Sequence, residues 1–245
     1  MSEFGERLDG NVGGAWRVGE TVRRATGPWT PAVHALLDYL RPRLDCVPEV
    51  LGFDEHGREI LSFLPGRVVD IDFELLTTGQ LQSIVTWTRS FHRAVSTFDH
   101  RGPWRFSEIR QPTLIGHNDI APYNVCFDGD DLVGVFDWDL AGPTTPLLEL
   151  AFIAWNCVPL WRDVGRELAA ERLELIASTY GSHSALEVLQ AVPKRIQLML
   201  EWIPKAAAAG DEGMANLMTV GEPERSQRSL ADLLVRLPTV AALLT

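Results

Sequence analysis

The order of periodicities along this 245-residue chain predicts an α+β fold of two lobes, a small β-rich one to about residue 65 and a mainly helical one beyond. Three observations carry that prediction. Short β-branched and aromatic runs, separated by glycine turns, dominate the first 65 residues. Pro65-Gly66 then breaks the chain where a strand ends. From Asp72 onward the apolar residues recur mostly at helical spacing, with one β-hairpin set among them near residue 130.

The elements follow in order. Gly10-Asn11-Val12-Gly13-Gly14 precedes two short strands, Ala15-Trp16-Arg17-Val18 and Thr21-Val22-Arg23-Arg24, joined by a Gly19-Glu20 turn. Such a cluster is a plain loop or, beside a strand pair, a cover whose backbone amides approach phosphate oxygens. The second strand offers a cation at Arg23 or Arg24, and strand alternation favours Arg24 for an inward-facing role. Thr30 and Pro31 read as N-cap and first residue of a helix to Leu40, with Val33, Leu36 and Leu37 at helical spacing. Strands at 50–53 and 59–64 flank Asp54-Glu55-His56-Gly57 and lead into the Pro65-Gly66 break. Helices are expected at 80–95, 146–157, 168–180 with a stop at Gly181, 184–209 broken or restarted at Pro193, and 222–236.

Composition narrows the function classes. A formal net charge of −11 opposes non-specific nucleic-acid binding and suits a cationic partner. Three cysteines without paired spacing point to a reducing cytoplasm rather than a disulfide framework. The acidic opening Met1-Ser2-Glu3-Phe4-Gly5-Glu6 lacks the apolar core of a secretory signal, and no apolar run has the length of a membrane span. The expectation is therefore a cytoplasmic protein engaging neither membrane nor nucleic acid.

The chemistry concentrates in Gly116-His117-Asn118-Asp119-Ile120-Ala121-Pro122-Tyr123-Asn124 and in Phe136-Asp137-Trp138-Asp139. His-x-Asp-x-x-x-x-Asn, followed by an acid at a strand end, is the spacing of a phosphoryl-transfer catalytic loop. There the first Asp accepts the attacking hydroxyl's proton, while the Asn and the later Asp hold magnesium on the nucleotide phosphates. Hard Mg²⁺ prefers oxygen, which Asn124 and Asp137 both supply. Residues 124–127, an Asp-Gly turn and residues 132–136 form a hairpin that returns Asp137 towards Asn124. A rival reading makes His117, Asp119, Asp137 and Asp139 ligands of a metallohydrolase, but it leaves Asn124 without a role and has no second histidine cluster.

On His117, Asp119, Asn124, Asp137 and the stretch Gly142-Pro143-x-x-Pro146-Leu147-x-Glu149-Leu150-Ala151, the chain resembles the aminoglycoside phosphotransferase and phosphotransferase-enzyme family, small-molecule kinases of protein-kinase-like fold. The resemblance runs softly from about Ala15 to Gly181, with Ser90-Phe91-His92-Arg93-Ala94 similar to the first helix of the second lobe. It implies ATP or GTP as donor, Mg²⁺, and a small-molecule hydroxyl as acceptor, an aminoglycoside or a related antibiotic or metabolite. Asp119 would be the base and Asn124 and Asp137 the metal ligands. Arg23 or Arg24 would bind phosphates, and backbone groups near Ser62 and Leu64 the purine edge. Asp139, Glu149, Glu201, Asp211 and Glu212 are candidate partners for a cationic acceptor, while Trp155, Trp161 and Trp202 read as core.

Three departures stand out. Arginine replaces the expected lysine, Glu149 replaces the family's usual acid, and helix 30–40 lacks the glutamate that would brace the phosphate-binding cation, offering only His34 or Asp38. The first and third favour an alternative, a nucleotide-binding or ligand-sensing pseudokinase.

Overall fold

The computed structural model describes residues 5–8 and 14–244. Residues 10–13 of the glycine cluster lie outside them; Gly14 is described, with φ of 63°. Strands β1 (Glu6–Leu8), β2 (Ala15–Val18), β3 (Thr21–Arg24), β4 (Val50–Phe53) and β5 (Glu59–Ser62) form one antiparallel sheet in the order β1-β2-β3-β5-β4. The fold is thus α+β without parallel crossover units in this sheet. β1, too short to read from sequence, is an addition. Register places Arg24 opposite Glu59, so the two side chains share one face of the sheet.

Helix α1 (Thr30–Leu40) follows β3 and buries Val33, Leu36, Leu37 and Leu40. Its cap differs from expectation. Trp29 is the N-cap and makes no side-chain cap bond, while Thr30 is already helical. The Thr30 hydroxyl instead accepts the Gly27 N–H at 2.9 Å, tightening the entering turn rather than the helix end.

The remainder is mostly helical: α2 (Thr78–Ala94), α3 (Pro146–Cys157), α4 (Arg166–Tyr180), α5 (Ala185–Ala208), α6 (Glu212–Thr219) and α7 (Glu222–Ala241). Between α2 and α3 lie strands β6 (Leu114–Gly116), β7 (Val125–Asp128), β8 (Asp131–Val135) and β9 (Gly142–Thr144), paired as β6-β9 and β7-β8. The β7-β8 ribbon is the hairpin foreseen from sequence.

Helix α2 starts with a capping box, Thr77 and Gln80 bonding each other's backbone N–H. Helix α3 is buried nearly all round, as an apolar helix should be. The expected break at Pro193 does not occur; α5 runs through Pro193 and Pro204. Val188, Leu189, Val192 and Ile196 are buried on both sides of Pro193, and this packing offsets the roughly 3 kcal/mol that an interior proline costs. Helix α7 likewise continues past 236 through Pro238, and α6 was not foreseen. The main core joins α1, α2, α3, α4, α5 and α7; Phe91 and Trp138 meet in it edge to face at 5.5 Å. A smaller cluster, Phe106, Ile109, Leu140, Leu148, Trp202, Ile203 and Met214, sits beneath α6. Among the described residues no helix is long and apolar enough to cross a membrane.

Candidate active site

The loop after β6 is held from below by α3. Glu149 is fully buried, and its Oε1 accepts the backbone N–H of His117 at 2.7 Å and of Asn118 at 2.9 Å. Its Oε2 bonds His92 Nε2, and His92 Nδ1 meets the Tyr180 hydroxyl at 2.7 Å. Burial alone would raise the Glu149 pKa, but His92 and the two N–H donors hold it below the usual carboxylate value. Gly116 is required just above, since a Cβ there would collide with Thr144 and the Glu149 carboxylate. Glu149 is therefore no partner for a solvent-borne cation, contrary to one sequence expectation. His92 packs in the core, as its place on the apolar face of its helix implied.

Asn118 has φ of 64°, a conformation that Asn tolerates better than most residues. Its Nδ2 bonds the carbonyls of Leu140 and Gly142, at 3.2 and 3.1 Å, and its own carbonyl accepts Arg195 Nη2 at 2.7 Å. Arg195 is wholly buried between the rings of Phe152 and Phe106, at 4.5 and 5.1 Å. Burial lowers its pKa to about 10, which leaves it cationic at neutral pH beneath Asp119.

Asp119 is thus delivered by a loop fixed on both sides. Asn124 Nδ2 donates to Asp119 Oδ2 at 2.8 Å and to its carbonyl at 3.0 Å; the Tyr123 hydroxyl donates to Oδ1 at 3.4 Å. Burial, then the nearby Asp137 charge, push the Asp119 pKa up to about 8. The His117 ring is buried against Trp138 at 4.6 Å, and burial pushes its pKa down. Its Nδ1 accepts the Asp119 N–H at 3.3 Å and its Nε2 lies 3.1 Å from the Phe136 carbonyl. With both nitrogens engaged inside the loop, His117 is not free to bind a metal. Among the described residues no group of three or more His, Cys, Asp or Glu side chains is placed to hold one.

The hairpin does what its spacing promised. The Asn124 carbonyl accepts the Phe136 N–H at 3.0 Å and Val125 pairs with Val135, so Asp137 follows directly beside Asn124. Asp137 has φ of 60°, a left-handed turn that swings its carboxylate to the surface, 40% exposed. Asn124 and Asp137 offer side-chain oxygens beside the Asp119 carboxylate, a donor set that fits a magnesium ion.

Arg24 and Arg23 part company. Arg24 Nη2 lies 2.7 Å from Asp137 Oδ1 and 3.1 Å from Asp139 Oδ2. Burial would weaken its charge, but Asp137, Asp139 and Glu59 more than restore it. Arg23 points to the other face and bonds Thr21 Oγ1 at 2.6 Å. The brace missing from α1 comes from β5. Buried Glu59 lies 3.8 Å from Arg24 Nη1 and 2.8 Å from His34 Nε2. Sequence reasoning missed Glu59, although pairing the strands in register would have shown it opposite Arg24.

At the other end of the sheet, the Ser62 N–H donates to the Glu49 carbonyl at 2.9 Å and the Phe63 N–H to that of Glu20 at 2.9 Å. The Leu64 carbonyl accepts the Cys126 thiol at 3.6 Å. Asp139 and Asp211, expected to face an acceptor, are instead ion-paired. Arg105 binds Asp211 with both Nε and Nη2, at 2.8 and 2.6 Å, reaches Asp139 at 3.3 Å and lies over the Trp29 ring at 4.3 Å. Nothing periodic marks Arg105 in the sequence. Glu201 and Glu212 are exposed, Trp155 and Trp202 are core, and Trp161 is half-buried beneath Arg162.

Residues 100–186 match the phosphotransferase enzyme family. A trifolitoxin immunity protein of Rhizobium leguminosarum bv. trifolii is 32% identical over 176 residues, which span 68% of this chain and 65% of that protein. The GDP complex of aminoglycoside 2'-phosphotransferase-IIIa superposes with a TM-score of 0.61 at 14% identity, over 93% of this chain and 92% of that one. A choline/ethanolamine kinase family protein from Mesorhizobium loti gives 0.57 at 16% identity, over 97% and 92%. These structures share the fold. Residues 100–186 thus match the phosphotransferase enzyme family, and the chain shares the fold of these phosphotransferase structures.

Proposed function

We propose that this protein is a magnesium-dependent phosphotransferase that moves the γ-phosphoryl group of ATP or GTP to a hydroxyl of a small molecule. One observation carries the reading: one Asp119 oxygen is fixed by Asn124, the other faces a hydroxyl, and the hairpin sets Asp137 beside Asn124. Asp119 takes the acceptor proton as the hydroxyl oxygen attacks the γ-phosphorus and the nucleoside diphosphate leaves. Mg²⁺, held by Asn124 and Asp137, supplies charge neutralisation on the phosphates. Arg24, rather than Arg23, is the phosphate cation, held in place by Glu59 and His34. Leu64, and the chain at Ser62, border the purine. The lobes divide at residues 65/66, 1–65 covering the nucleotide and 66–245 carrying the catalytic loop and acceptor subdomain. An acidic chain suits a cationic acceptor in the cytoplasm. Related structures support the donor and acceptor classes, since one holds GDP with kanamycin and another ADP.

Titration with ATP and GTP, with and without Mg²⁺, followed by a screen of aminoglycosides, macrolides, amino alcohols and sugars, tests the proposal. Magnesium-dependent binding with Asp119-dependent transfer to at least one class is expected. One observation favours the pseudokinase alternative: Arg24 sits on the very carboxylate assigned to the metal. Tight binding with no transfer across the panel would select that alternative.

A further inference from the structure

The Tyr123 hydroxyl sits on Asp119 Oδ1, the carboxylate oxygen that Asn124 leaves free. Tyr123 lies in the single 3-10 turn Pro122–Asn124, and its side chain is 50% exposed while its hydroxyl reaches Asp119 Oδ1. A phenol is protonated at neutral pH, so it donates there as an acceptor hydroxyl would. The other oxygen, Oδ2, is held by Asn124, so Oδ1 remains the one to receive a proton. At 3.4 Å the bond is longer than a usual O–H···O bond, and the half-exposed ring is not locked into the core.

We infer that Tyr123 is a built-in place-holder for the acceptor, covering Asp119 Oδ1 against water until an acceptor hydroxyl displaces it. The inference rests on the phosphotransferase reading above. Water in the acceptor position would be activated in the same way. Its oxygen would bond to the γ-phosphorus, the bond to the nucleoside diphosphate would break, the proton would pass to Asp119, and nucleotide would be spent without transfer. Tyr123 suppresses that reaction while the acceptor site is empty. It also acts on selectivity, because a productive acceptor must offer a hydroxyl that outcompetes the phenol and a face that accommodates the displaced ring.

The test needs no known acceptor. Hydrolysis of magnesium-ATP and magnesium-GTP is measured for the wild-type chain, Tyr123→Phe and Tyr123→Phe/Asp119→Asn, with nucleotide affinity and Tm recorded for each. Tyr123→Phe keeps the ring and removes only the hydroxyl. Its hydrolysis should rise about 2- to 10-fold, the range of one net hydrogen bond, with affinity and Tm unchanged. The double variant should lose the gain. Equal or slower hydrolysis by Tyr123→Phe overturns the inference, as does a gain that survives loss of Asp119. Phosphate found on Tyr123 by mass spectrometry overturns it too, because the phenol would then be an acceptor and not a guard. If all chains bind nucleotide and none hydrolyses it, the guard is not what restrains water and the inference falls alone. If none binds nucleotide, the phosphotransferase reading falls with it.

Discussion

At Asp119 the two carboxylate oxygens have separate duties, one fixed by Asn124 and one presented to a hydroxyl. Asp119→Asn should therefore cut turnover on the order of 10²–10⁴-fold while magnesium-nucleotide affinity stays near that of the wild type. Asp137→Asn should weaken nucleotide binding as well as turnover, because it removes the charge of the proposed magnesium ligand. Steady-state kinetics beside nucleotide titrations separate the two effects; identical binding in both variants would refute this division of labour. Spacing alone made Asp119, Asn124 and Asp137 legible, because a loop and a hairpin of fixed length leave little freedom in where they fall. Glu59, Arg105 and Tyr123 were not legible as site residues. Their significance depends on strand register, on an irregular segment and on a side-chain direction.

At the scale of the element, α3 carries the catalytic loop on a single buried carboxylate. Glu149→Ala leaves His92 and two backbone N–H groups without their partner, and removal of one member of such a buried pair costs about 3–5 kcal/mol. Thermal melts should show the loss, and a variant as stable as the wild type would remove Glu149 from this role. The sign of the pH dependence follows from the depressed Glu149 pKa. The carboxylate's stabilisation is fully present above the unfolded value of about 4.3 and is lost as pH falls through the lower folded value. Wild-type Tm should accordingly drop on acidification below about pH 4, and Glu149→Gln should drop less over that window. The capping box of α2 gives a smaller effect. Thr77→Ala should cost about 1 kcal/mol and leave nucleotide affinity unchanged, which chemical denaturation measures directly. Neither the capping box, which starts this helix ahead of the expected residue 80, nor the passage of α5 through Pro193 was foreseen from the sequence. A local rule bars proline from a helix interior, and only the apolar residues buried around it show why the rule yields.

Across the whole molecule, charged side chains run from the sheet to the start of α6: His34, Glu59, Arg24, Asp139, Arg105 and Asp211 in succession. Arg24 and Arg105 both meet Asp139, so a change at α6 is felt at the residue that also holds Asp137. Asp211→Asn should release one side of Arg105 and alter magnesium-nucleotide affinity by a few-fold, although Asp211 touches no nucleotide group. Calorimetric titration reads this, and unchanged affinity would show the pairs to be independent. Magnesium-ATP or magnesium-GTP at a hundred times its Kd should stabilise the folded chain by about 2.7 kcal/mol, seen as a rise in Tm that Asp137→Asn reduces at the same ligand concentration.

The sequence by itself determined the α+β class, the order of most elements, and the His117, Asp119, Asn124 and Asp137 constellation. Each of these follows from local periodicity or from fixed spacing along the chain. Only the tertiary structure decided that Arg24 and not Arg23 enters the site, that Glu59 replaces the absent helix glutamate, and that Glu149 braces the catalytic loop instead of facing solvent. These are pairings between residues 25 to 113 positions apart, and their energies arise from burial that no short window of sequence contains.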